Sequence, residues 1–360
     1  MLAVIAVIIA HHKYCCKHEF TVDMLALQAY SLCMDATRQP RTLTEAIRYY
    51  ANEQTCIDAV ASLRWVDGKP MCPKCHTVEG QRKHYWLKTQ KRWKCYSCRK
   101  QFSVKVGSIF EDSPLGLDVW LIAMWMLCNC RNGVSSYEIA RATGIAQKSA
   151  WFLLQRLRLV LKDVRPVMMG AAEEAGPVEM DECFIGGKPK NMHRSRRLKL
   201  RLAENGYAEK TAIFGMLQRG TRQVRATVIP NVKRETLQKK ILENVGFGAT
   251  VYTDGWPGYD GLKGKEFIHE TVNHMTEYVR GQVSTQAIEN FWSCLKRTLN
   301  GTYVAVEPYH MDRYLDEQMF RFNNRIGHTD GSRFQKALSQ VGGKRLTWVE
   351  LTGKEYPKAV

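Results

Sequence analysis

Apolar positions recur along this chain with two different periods, and the change from one to the other divides it. Over residues 43–63, Ile47, Val60 and Leu63 fall on one roughly apolar side, which predicts a helix beginning near Thr44. Gly68-Lys69-Pro70 breaks that pattern. Residues 117–130 and 135–161 resume it and predict a helical middle. After Gly176-Pro177 the apolar runs shorten and become β-branched at 178–181, 212–217, 224–229 and 250–254, the signature of strands. Residues 233–243 read as a helix between the last two, and two long helices follow at about 285–299 and 308–323. Strands, a helix, a further strand and more helices predict an α/β fold, with a mixed sheet flanked by helices.

Charge narrows the partners. The 360 residues carry 53 Lys and Arg against 35 Asp and Glu, a net +18. A surplus of that size favours a polyanion, because each neutralised phosphate releases counterions. Anionic membranes share the chemistry, but the apolar opening 1–10 is too short to span a bilayer. It also lacks a basic start and a cleavage site, so residues before about 34 read as an unassigned extension with Met34 as an alternative start. The expectation is a cytoplasmic protein with no membrane partner.

Twelve cysteines would suit a disulfide scaffold, but their placement argues for metal. Cys72-Pro73-Lys74-Cys75 and Cys95-Tyr96-Ser97-Cys98 are two C-x-x-C pairs with 19 residues between them, and the other eight are scattered. Two such knuckles complete a closed tetrahedral site, which predicts structural zinc on Cys72, Cys75, Cys95 and Cys98, with a redox pair as the alternative. The arm between them interleaves Arg82, Lys83, Lys91, Arg92 and Lys94 with Tyr85, Trp86 and Trp93. That pattern suits either DNA contact or a solvated hairpin whose aromatics pack on the ribbon.

In the helical middle, Ser135 and Glu138 fit a capping box, Thr143-Gly144 turns the chain, and a second helix starts near Gln147. This is helix-turn-helix spacing, which would offer Gln147, Lys148 and Ser149 to a major groove. Packed helices with a glycine turn also occur in proteins that never touch DNA. A basic loop at 188–210, including Arg194, Arg196 and Arg197, adds a further candidate DNA contact; the alternative is a solvated insertion.

Asp181 follows the first apolar strand and Asp254 ends the last, each before a Gly-containing turn, while Glu289 borders the apolar stripe Ile288, Phe291, Trp292, Leu295 and Leu299. Two strand acids and one helix acid can hold two magnesium ions roughly 4 Å apart for in-line attack on a phosphodiester. Lys296 lies two turns past Glu289 on the same face, placed to hold a phosphate. Chance supplies many acid triples among 35, and alternation puts Glu179 on the same face as Asp181. Spacing alone does not choose between them.

Several motifs in order carry a resemblance that does choose. They are Val178-Glu179-Met180-Asp181-Glu182 with Ile185-Gly186-Gly187-Lys188, then Tyr252-Thr253-Asp254-Gly255, and Ile288-Glu289-Asn290-Phe291-Trp292 running on to Lys296-Arg297. Gly301-Thr302-Tyr303 follows, then His310, Arg313-Tyr314, Glu317, Phe320-Arg321 and Asn323. With the ribbon ahead of them, these motifs resemble the zinc-ribbon DDE transposases of bacterial insertion sequences, and the 34 residues between Asp254 and Glu289 match that family's interval.

The resemblance implies an RNase H-like catalytic fold. It makes Asp181, Asp254 and Glu289 ligands for Mg2+ or Mn2+, with Lys296 the accompanying lysine. It further implies cleavage and strand transfer at an element's terminal inverted repeats, with target DNA as the second partner and a homo-oligomer assembled on DNA. Two positions depart from the family: Ser284-Thr285-Gln286 stands where His-Thr-Asn is common, and Val304-Ala305 where histidines are usual. A catalytically silent DNA-binding regulator and an RNase H-like nuclease remain the alternatives. The expected divisions are an extension (1–36), an N-terminal helical segment (37–68), the zinc ribbon (69–104) and a helix-turn-helix-like segment (105–170). The catalytic domain (171–330) and a C-terminal tail (331–360) complete them.

Overall fold

A computed structural model describes residues 39–65, 68–78, 84–162, 167–172, 175–186, 194–195, 210–262, 267–272 and 281–353. Its first elements are helices α1 (Leu43–Tyr50) and α2 (Glu53–Arg64). Sequence predicts one helix here and the structure has two. Asn52 caps the second, its side chain accepting from the N–H groups of Gln54 and Thr55, and that local bond interrupts the helical ladder. A three-stranded antiparallel ribbon follows: β1 (Tyr85–Leu87), β2 (Arg92–Lys94) and β3 (Gln101–Phe102).

Helices α3 (Leu117–Asn129), α4 (Ser136–Thr143) and α5 (Gln147–Leu161) form the middle. The Ser135–Glu138 capping box forms in both directions, and Gly144 takes the left-handed conformation at the end of α4 (φ 71°). Only glycine reaches that conformation without steric cost, which is why the turn falls there. One apolar core joins these helices to the ribbon and includes Tyr50, Phe102, Trp120, Trp125, Leu154 and Phe334.

The larger sheet contains β4 (Val178–Ile185), β5 (Thr211–Gln218), β6 (Gln223–Ile229), β7 (Thr250–Asp254) and β8 (Ile268–Val272). Helix α6 (Arg234–Asn244) comes between β6 and β7. Spatial order is β6-β5-β4-β7-β8, with β4, β5 and β6 an antiparallel meander and β7 and β8 parallel to β4. A five-stranded mixed sheet in that order, flanked by helices, is the RNase H-like arrangement. The strand β8 goes beyond the expected four. Its residues 268–271 stay exposed or half-buried at the sheet edge, so the segment carries no continuous apolar run to read.

Helices α7 (Gln286–Thr298) and α8 (Met311–Asn323) cover one face of the sheet, and α6 covers the other. The chain continues into α9 (Asp330–Leu338) and α10 (Trp348–Thr352). Residues expected to form a tail therefore include core: Phe334, Ala337 and Leu338 are fully buried against the N-terminal helices. Helix α8 serves both cores, giving Phe320 to the first and Met311, Leu315 and Phe322 to that of the sheet.

Candidate active site and metal centre

The first two acids lie on neighbouring parallel strands. The bonded ladder between β4 and β7 ends with Glu179 beside Tyr252. Asp181 and Asp254 each lie two residues past that last pair on their own strand. Neighbours in parallel register point to the same face, here the face that α7 covers. Both are half-buried, and Glu289 is exposed in the first turn of α7. The helix is tied to β4 at this level: Trp292 Nε1 donates to Asp181 Oδ2 at 3.0 Å. Gly215, opposite Asp181 on β5, makes room for that indole. Further along, burial pushes the Cys183 thiol up to about 11 while the charge of Lys296 opposes the rise.

The charges of Asp254 and Glu289 both reach Asp181. Burial lifts the Asp181 carboxyl to about 6; the Glu182 backbone and Trp292 oppose the rise, while the negative charges of Asp254 and Glu289 add to it. Burial likewise lifts Glu182 to about 7, against a hydrogen bond from Tyr259 and with Asp254 and Asp181 adding to the rise. Carboxylates gathered this way suit a hard divalent cation, which takes oxygen ligands and cancels their repulsion. The fit is open rather than preclosed. Among the described residues, only the four ribbon thiols form a group of three or more such ligands within 4.8 Å.

Glu179, which alternation could not separate from Asp181, has a different fate. It is buried, bonded by Arg219 Nε at 2.5 Å and by the N–H groups of Ala287 and Ile288. Nothing local in the sequence signals this, because every partner lies on another element. Gly215 was legible in principle, since a lone glycine inside an apolar strand often marks a close approach.

In the ribbon, Cys72 and Cys98 sulfurs lie 3.6 Å apart and those of Cys75 and Cys95 3.5 Å. The two knuckles share one backbone design. His76 N–H donates to Cys72 O and Arg99 N–H to Cys95 O, with His76 and Arg99 both at positive φ. Four sulfurs at this spacing fit a closed, soft-metal site. On the arm between them, Trp86 and Trp93 pack on each other and Trp93 on Trp65, whereas Tyr85 on the arm and Tyr96 in the second knuckle face out.

The expected DNA-contacting residues are not brought to one place by any described contact. Arg92 and Arg194 are exposed, Lys94 is half-buried, and Lys91 pairs with Glu53. Gln147 donates to Ser136 Oγ at 2.9 Å, and the Lys148 ammonium lies 5.0 Å from the Trp348 ring centroid. Arg82, Lys83, Arg196 and Arg197 lie outside the described residues.

Comparison with known proteins agrees with this architecture. Residues 174–323 match the family model described as the ISXO2-like transposase domain, and residues 51–101 match the transposase zinc-ribbon domain. The chain is 27% identical over 303 residues to an uncharacterized protein in transposable element ISH50 of Halobacterium salinarum, covering 82% of this chain and 98% of that one. It is 37% identical over 102 residues to an uncharacterized transposase-like protein of Haemophilus influenzae, covering 28% of this chain and 82% of the relative. A chain from a cryo-EM structure of the simian T-cell lymphotropic virus intasome with PP2A regulatory subunit B56 gamma aligns at 12% identity. It covers 67% of this chain and 76% of the other at a TM-score of 0.28, too low to establish a shared fold. A zinc ribbon ahead of an RNase H-like sheet defines a transposase architecture, and the chain belongs to the ISXO2-like, zinc-ribbon transposase family. No helix among the described residues is long and apolar enough to cross a membrane.

Proposed function

We propose that this transposase binds the terminal repeats of its insertion sequence, cleaves there and joins the freed 3′ ends to target DNA, with Asp181, Asp254 and Glu289 as its metal ligands. The observation that carries the reading is that the negative charges of Asp254 and Glu289 both add to the rise of the Asp181 carboxyl, two residues past the last β4–β7 pair. Asp181, Asp254 and Glu289 would hold Mg2+ or Mn2+, and the ion would supply Lewis-acid chemistry for phosphoryl transfer. The chain's own contribution is to orient. Trp292 fixes one Asp181 oxygen, and Lys296 offers a cation for a phosphate two turns from Glu289. Zinc on the four thiols holds the ribbon and takes no part in the chemistry. Basic residues of the ribbon arm, the 188–210 loop and the start of α5 bind the DNA backbone, and the assembled form is a homo-oligomer on DNA.

The test is cleavage of a labelled element end in Mg2+ or Mn2+, run beside a gel shift on the same preparations. Asp181→Asn, Asp254→Asn and Glu289→Gln each keep shape but lose the charge that holds a cation. Each is expected to abolish cleavage and keep binding, and Lys296→Ala to slow cleavage only. A wild-type rate in any acid variant removes that residue from the site. Cleavage without strand-transfer products would favour a nuclease, and binding without cleavage by wild type a regulator.

A further inference from the structure

The geometry points to Glu179 and Arg219 as positioning residues that set where Glu289 stands relative to Asp181; this rests on the reading of the three acids given above. Glu179 is 1% exposed. A carboxylate that deep is costly unless its charge is met. It is met three times, and every partner leads to the start of α7. Its Oε2 accepts from Ala287 N at 2.9 Å and Ile288 N at 3.0 Å, and its Oε1 accepts from Arg219 Nε at 2.5 Å.

Helix α7 needs this help. Thr285 at its N-cap makes no side-chain capping bond, so first-turn N–H groups lack the usual local acceptor. A carboxylate from β4, 108 residues earlier, replaces it and also meets the positive end of the helix dipole. Arg219 secures the approach to the helix. Its Nη1 donates to Gln282 O at 2.6 Å, and its Nη2 to Ser284 O at 3.0 Å and Ser284 Oγ at 2.6 Å. Its guanidinium also lies 4.9 Å from the Tyr252 ring centroid on β7.

One joint therefore fixes both sides of the site. Asp181 is two residues past Glu179 on the strand, and Glu289 is one residue past the Ile288 N–H that Glu179 binds. The length of Glu179 sets the height at which α7 begins, and with it the reach of Glu289. Arg219 carries a fork that binds two carbonyls and a carboxylate at once, which a lysine cannot do. Ser284, one of the residues at which this chain departs from the family pattern, is part of that joint.

The test uses full-length protein with two readouts. The first is hydrogen exchange of peptides covering 285–292 in metal-free protein. The second is the Mn2+ concentration giving half-maximal single-turnover cleavage. In Glu179→Gln and in Arg219→Lys, exchange across 285–292 is expected to rise at least tenfold while 147–161 and 211–229 stay unchanged. The Mn2+ requirement should rise, and the rate should fall about 10–100-fold, as small misplacements of reacting groups do. Excess Mn2+ should recover part of it.

Asp181→Asn and Glu289→Gln run alongside separate the two claims. If those cleave normally, the site reading fails; if they are dead while Glu179→Gln keeps wild-type exchange and Mn2+ dependence, positioning fails. A folded Glu179→Gln that is dead at every Mn2+ concentration would make Glu179 a direct participant and also overturn positioning. Should Glu179→Gln not fold, Arg219→Lys decides by the same two readouts, since it retains the buried charge pair.

Discussion

The indole N–H of Trp292 reaches the carboxylate of Asp181, 3.0 Å away, across a strand position that only glycine can fill. A Cβ on Gly215 would sit 2.4 Å from Trp292 Cζ2 and 3.1 Å from Ile288 Cδ1. An indole has no flexible end to swing aside, so α7 itself must lift. Gly215→Ala is expected to cost about 1–3 kcal/mol in urea unfolding. It should also slow cleavage while gel-shift affinity holds. Trp292→Phe drops the donor but keeps most of the packing, and should lose less stability. Wild-type melting and cleavage in Gly215→Ala would show that the contact yields freely.

The clustered acids should make the metal-free protein less stable than it need be. Asp181 titrates near 6 in the folded chain against an ordinary 3.8. A raised carboxyl means the folded state loses stability as pH climbs from 3.8 to 6, and the full penalty persists above 6. In chelator at pH 7, Asp181→Asn should therefore melt higher than wild type, by on the order of 1–2 kcal/mol after allowance for partial exposure. The gap should close toward pH 4. Mn2+ should raise the melting temperature of wild type and leave the variant nearly unmoved. A variant that melts lower in chelator would contradict this account.

Glu317 predicts the opposite slope. It is fully buried on α8, bonded by Arg158 Nε at 2.6 Å, by Arg321 and by the Tyr303 hydroxyl at 2.5 Å. Burial alone would raise its pKa, but the two guanidinium groups outweigh that and hold it below its ordinary 4.5. Its contribution is therefore complete above 4.5 and is lost as pH falls through the lower folded value. Glu317→Gln leaves two buried cations short of a counter-charge and should cost about 3–5 kcal/mol at pH 7. Urea titrations from pH 7 down to 3 should show that cost shrinking below 4.5. A constant difference across the range would assign the loss to packing instead.

Zinc should be separable from catalysis. Freshly purified protein should contain about one zinc per chain, the stoichiometry of a four-thiolate site. Cys95→Ser with Cys98→Ser should lose it and disorder the ribbon, reported by the fluorescence of Trp65, Trp86 and Trp93. End binding should weaken while the far sheet stays folded. Zinc near zero in active wild-type protein would remove the metal from the argument.

How much of this was legible depended on how far apart the deciding atoms lie. The thiol knuckles and the Ser135–Glu138 cap are built within a few residues and could be read directly. The break at Asn52 was equally local, but a capping side chain inside a long polar-apolar run looks like any other polar position. Strand β8 escaped because residues at an exposed edge need not be apolar. Glu179 and Asp181 share a face, and only Arg219, Ala287 and Ile288, distant in sequence, distinguish a carboxylate that ties a helix from one left facing Asp254. The family pattern singled out Asp181; periodicity could not.

Gly176-Pro177 marks the place where the sequence changes character, yet the molecule has no seam there. Helix α8 lies far beyond that point, shares its side chains between the two cores and meets Arg158 of α5 through Glu317. A buried ion pair thus joins the first core to the helix that covers the sheet, and a chain cut at 176 would leave the Arg158 guanidinium without the Glu317 carboxylate that meets it across that joint.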